Sequence, residues 1–116
     1  MGVKVQTDKQ EAMMKLESGK FKLRFLTPDL QDDREVVESA IRKDVKQLKF
    51  ASDRLKNDTD LVTKAVRING LALAFASDNL KDDPRIVDIA IQNSPTAIFF
   101  ASDRFRAVHY GYTGGF

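Results

Sequence analysis

Apolar residues recur along this chain with two spacings at once. Within short stretches they follow a helix: Leu61, Val62, Ala65 and Val66 fall at i, i+1, i+4 and i+5. That spacing paints one broad stripe on a helix and cannot be a strand's alternation. At longer range the stripe returns every 25 residues. Val36, Leu61 and Ile86 align, as do Val37, Val62 and Val87. Ala40, Ala65 and Ala90 form a small-residue column that lets neighbouring helices approach closely. Ile41, Val66 and Ile91 follow, then Leu48, Leu73 and Ile98, and then Leu30, Leu55 and Leu80 leading to Phe105.

The polar punctuation repeats with the same period. Phe75-Ala76-Ser77-Asp78-Asn79-Leu80-Lys81-Asp82-Asp83 has a counterpart 25 residues earlier, Phe50-Ala51-Ser52-Asp53-Arg54-Leu55-Lys56-Asn57-Asp58. Phe100-Ala101-Ser102-Asp103-Arg104-Phe105 lies 25 residues later, and a degenerate copy begins at Phe25. Self-similarity at a fixed period of this size marks a repeat array, in which a two-helix unit buries its apolar face only by stacking on its neighbours.

The spacing predicts eight helices in four pairs: 8–18 with 20–27, 33–43 with 45–52, 58–68 with 70–77, and 83–93 with 95–102. Asp33, Asp58 and Asp83 are placed as N-caps, and Ser77-Asp78-Asn79-Leu80 as a turn back. Pro28, Pro84 and Pro95 each follow a capping residue, at a first helical position where a missing N–H costs nothing. The expected fold is therefore all-α, a short α-solenoid of four stacked helix pairs. Its parts are a partial N-terminal capping repeat over 7–24, repeats over 25–49, 50–74 and 75–99, and a partial copy over 100–106. The Gly/aromatic tail, 107–116, breaks the period.

Composition narrows the function classes. The chain has 116 residues, enough for one domain. It has no cysteine, which excludes disulfides and thiolate metal sites and fits a cytoplasmic or other intracellular compartment. Lys and Arg total 19 against 17 Asp and Glu, a thin excess without a basic block, so nucleic acid is not expected as a partner. No apolar run is long enough to span a membrane. The start, Met1-Gly2-Val3-Lys4-Val5-Gln6-Thr7, reads neither as a secretion signal nor as a myristoylation site.

No catalytic constellation is legible. Ser52, Ser77 and Ser102 would need a base, and the one histidine, His109, cannot serve three repeated serines. They are expected to cap turns, and His109 to lie on the surface. Asp32-Asp33, Asn57-Asp58 and Asp82-Asp83 could form a carboxylate ladder for Ca²⁺ or a basic partner. Helix capping explains them more simply. No cofactor, metal site or enzymatic activity is expected.

Phe75-Ala76-Ser77-x-x-Leu80-x-x-Asp83 followed by Ile86-Val87-x-x-Ala90-Ile91 resembles the domain-of-unknown-function 4116 family, as do Asp33-Arg34-Glu35-Val36-Val37 and Asn69-Gly70-Leu71-Ala72-Leu73. Asp44-Val45 and Ser94-Pro95 depart from that family's Asn-Gly. The resemblance covers roughly residues 25–106. It implies an all-helical repeat fold and no enzymatic activity, and repeats of this kind occur in protist, bacterial and viral proteins.

The informative positions are those the repeat leaves variable. Arg24, Lys49, Ala74 and Phe99 form one column that runs from cationic to aromatic, and Lys46 belongs to its basic end. One reading is a protein-docking face, with lysines steering an acidic partner and Phe99 as anchor, in an adaptor or inhibitor. The other is a solvated lysine-rich face with Phe99 buried under the tail. Tyr110, Tyr112 and Phe116 in the tail offer either a cover folded back on the array or a clasp on a neighbouring copy. The clasp would suit a structural subunit of a larger, virion-type assembly.

Overall fold

In the computed structural model, which describes residues 8–107, every repeat is built from three helical pieces. A long α-helix comes first: α1 (Lys9–Glu17), α3 (Arg34–Lys43), α5 (Thr59–Ile68) and α7 (Pro84–Asn93). A 3-10 helix follows: Leu23–Phe25, Val45–Phe50, Gly70–Phe75 and Pro95–Phe100. A single α-turn closes the unit: α2 (Pro28–Gln31), α4 (Asp53–Lys56), α6 (Asp78–Lys81) and α8 (Asp103–Arg106). The described residues contain no strand, and the units stack in file into a body of 54 × 27 × 21 Å. No helix among them is long and apolar enough to cross a membrane.

The caps dictate these breaks. Asp8, Asp33, Asp58 and Asp83 stand in extended backbone, and each carboxylate accepts a first-turn N–H, from Glu11, Glu35, Leu61 and Arg85 respectively. Each of the last three long helices then stops at a second extended residue, Asp44, Asn69 or Ser94. Asp44 and Asn69 both end one helix and start the next, because their side chains accept from Lys46 N–H and Leu71 N–H. Pro28 and Pro84 open α2 and α7, and Pro95 opens the last 3-10 helix, as their spacing predicts.

Two expectations are corrected. The second member of each pair is the expected shorter helix, of 3-10 type, but in the first repeat the expected 20–27 helix shrinks to Leu23–Phe25. The stretch at 77–80 is a helical turn, α6, rather than a plain reversal. The reason lies in packing: side chains three apart eclipse in a 3-10 helix. Val45, Leu48 and Ala51, like Leu73 and Ala76 beside the buried Gly70 backbone, therefore all reach the core from a very short segment.

That core holds the columns read from the sequence. Ala40, Ala65 and Ala90 have no exposed surface, and only the terminal members Ile91 and Phe105 are half-buried. Full burial of a leucine such as Leu48, Leu55 or Leu61 contributes about 1.5–3 kcal/mol.

Candidate functional site

The same three-residue eclipse that fills the core sets up a second row on the exposed side of the 3-10 helices. Lys46 stands over Lys49, Leu71 over Ala74, and Thr96 over Phe99. All are exposed except Ala74, which is half-buried. Phe99 is 56 % exposed, the most of any described phenylalanine.

Three adjoining depressions run along this face. The first, of about 200 Å³, is lined by Lys22, Arg24, Asp44, Lys46, Gln47 and Phe50. The second, of about 360 Å³, is largely apolar and shares Lys46; Leu71, Phe75, Phe99 and Phe100 form its walls. The third, of about 430 Å³, shares Ala74 and Phe75 with the second and adds Lys49 and Lys56. Arg24, Lys46, Lys49 and Phe99 thus lie on one continuous surface, basic at one end and apolar at the other.

Its cations are partly pre-placed. The Arg24 guanidinium lies 4.7 Å from the centre of the Phe25 ring and the Lys49 ammonium 5.7 Å from that of Phe50. Lys22 and Lys46 form no ion pair among the described residues. Asp44, the acid within the first depression, is engaged in capping at 3.0 Å from Lys46 N. Tyr110, Tyr112 and Phe116, along with His109, lie outside the described residues.

The repeated acids and serines have structural work. Asp33, Asp58 and Asp83 are the N-caps already described. Their neighbours Asp32, Asn57 and Asp82 receive the next repeat: Ser52, Ser77 and Ser102 donate their hydroxyls to them at 2.5, 2.6 and 2.6 Å. The backbone repeats the link, with Ser52 N–H to Gln31 C=O, Ser77 N–H to Lys56 C=O and Ser102 N–H to Lys81 C=O at 2.9–3.0 Å.

Arg54 adds bonds to the Asp32 carboxylate and carbonyl, at 2.9 and 2.6 Å, and Arg104 does the same to Asp82 at 2.6 and 2.8 Å. The serine hydroxyl first, and the arginine after it, hold the carboxyls of Asp32 and Asp82 below the usual range. The middle junction has Asn57 in place of the aspartate and Asn79 in place of the arginine. The acid and its cation are exchanged together.

Sequence reasoning missed these locks, and also Gln47. Its side chain is buried, accepts from Leu23 N–H at 2.6 Å and donates to Ala40 C=O at 3.3 Å. A polar residue where the other repeats place Ala72 and Ala97 was the available signal.

Fold and surface together define a class: a helical-repeat protein whose buried columns are uniform and whose 3-10 face is graded. The family described as Domain of unknown function (DUF4116) matches residues 8–56, 33–81 and 58–106, and the chain belongs to it. Each match spans two structural periods, and successive matches advance by one. No curated protein and no solved structure matches the chain.

Proposed function

We propose that this protein is a non-enzymatic protein-interaction module of adaptor or inhibitor type, working through the exposed row of its 3-10 helices. The observation that carries this reading is the continuity of the face from Lys22 and Arg24 to Phe99 and Phe100. Exposed apolar groups gathered in a groove and rimmed by cations suit a partner segment with both acidic and apolar residues. The lysines speed encounter, and Leu71 and Phe99 supply the anchoring area. The repeated serines are reserved for holding repeats together.

The test uses a photo-crosslinking residue at Thr96, in the apolar part of the face. With the full chain in cells of the native source, one specific protein should crosslink. The capture should disappear in Lys46→Glu/Lys49→Glu/Phe99→Ala while the helical circular dichroism stays unchanged. Equal capture by that variant rejects the reading.

A further inference from the structure

The three junctions between repeats use the same positions but differ in strength. The first (8–32 against 33–57) and the third (58–82 against 83–106) carry the Asp–Ser–Arg lock, and the middle one (33–57 against 58–82) carries only Asn57, Ser77 and Asn79. Packing of the long helices divides the same way, whereas the 3-10 helices pack more extensively at each junction from first to third. α3 lies along α1, and α7 along α5, far more extensively than α5 lies along α3.

Polar contacts reinforce the outer junctions. Gln47 and Ser39 reach back to Leu23 and Glu17 at the first. At the third, Asn93 accepts from Gly70 N–H at 2.6 Å and donates to Arg67 C=O at 3.1 Å. Gly70 itself permits closeness there, since a Cβ on it would stand 2.1 Å from the Ala90 carbonyl oxygen. One period earlier the same place holds Val45, and the 3-10 helix of residues 45–50 approaches α5 much less than that of 70–75 approaches α7. A crevice of about 320 Å³ opens at this middle junction, between Glu38, Ile41 and Arg42 of α3 and Lys64, Arg67 and Ile68 of α5. The charged ties that remain, Arg34 to Asp58 and Asp60 and Lys64 to Glu38, are partly exposed ion pairs of the kind that contribute little.

We infer that the array consists of two stiff two-repeat halves, 8–57 and 58–106, joined at a compliant seam, and that a partner segment bridging the seam clamps it. The charge gradient of the face divides at the same place. Lys22, Arg24, Lys46 and Lys49 belong to the first half, and Leu71, Phe75 and Phe99 to the second. The fitting partner is bipartite, with an acidic part and an apolar part held by different halves. The clamp rests on the docking face proposed above; the seam does not.

The chain contains its own control. Ser52 and Ser77 share the local sequence Ala-Ser-Asp, so their amides have like intrinsic exchange rates, and each spans one junction. In the full chain, hydrogen exchange read by NMR should be about tenfold or more faster at Ser77 than at Ser52, by opening of the seam alone. Asn57→Asp/Asn79→Arg, which grafts the outer lock onto the seam, should slow Ser77 several-fold with Ser52 unchanged.

Equal or slower exchange at Ser77 overturns the seam, as does a folded graft variant whose Ser77 rate does not move. For the clamp, the probe is a peptide with a run of glutamates joined by a Gly-Ser spacer to Leu-Leu-Phe, made in both orders. One order should slow Ser77 where neither part alone does. If neither order does so while the graft succeeds, the clamp and its docking face fail and the seam stands.

Discussion

The two sides of the 3-10 helices have the same backbone and opposite sequence behaviour. On the buried side, Leu48, Leu73 and Ile98 repeat with little change, followed by Ala51, Ala76 and Ala101. On the exposed side, Lys46, Leu71 and Thr96 share nothing, nor do Lys49, Ala74 and Phe99. The buried row must fit the neighbouring helices, so its volume is fixed repeat by repeat. The exposed row is under no such volume constraint from the core. On the docking reading proposed above, specificity would reside where the repeat fails to repeat.

The strongest way to break this comparison is on the buried row. Leu73→Ala should cost about 2–5 kcal/mol of unfolding free energy, measured by urea denaturation, since Leu73 has no exposed surface. Gly70→Ala comes next, at about 1–3 kcal/mol, because the new methyl meets the Ala90 backbone rather than a yielding side chain. Gln47→Leu should cost about 1–3 kcal/mol by leaving the buried Leu23 N–H without its acceptor.

The locks give a pH signature. The carboxyls of Asp32 and Asp82 are held below their unfolded value, so their contribution is full above about pH 4 and is lost as pH falls through the folded value. The urea midpoints of wild type and Asp32→Asn/Asp82→Asn should therefore differ at pH 7 and converge as the pH falls through the depressed folded value. A gap that stays constant with pH removes the ionic account. Smallest of all, Leu71→Lys on the exposed row should move stability by no more than about 0.5 kcal/mol. A loss as large as that of Leu73→Ala would erase the distinction between the two rows.

Much of this molecule was legible in its sequence, for a physical reason. Core columns and caps recur in register, so Ala40, Ala65 and Ala90 or Asp33, Asp58 and Asp83 appear as soon as the period is found. The 3-10 helices were not, because a six-residue segment satisfies three- and four-residue spacing almost equally well. The locks stayed hidden because they join residues 20 and 22 apart, off the period that aligns everything else. The paired exchange of Asn57 with Asn79 becomes visible only along that shorter step. On the face, the column through Arg24, Lys49 and Phe99 was readable. That Lys46 adjoins both the basic and the apolar depression was not, since it depends on how neighbouring repeats are set side by side.

The seryl links all point backwards, from a donor amide in each repeat to a carbonyl already placed in the repeat before it. During synthesis the acceptor therefore leaves the ribosome first. The first and third junctions add links of the opposite sense, since Leu23 N–H and Gly70 N–H wait for Gln47 and Asn93 of the following repeat, whereas at the middle junction the seryl amide finds its acceptor already made.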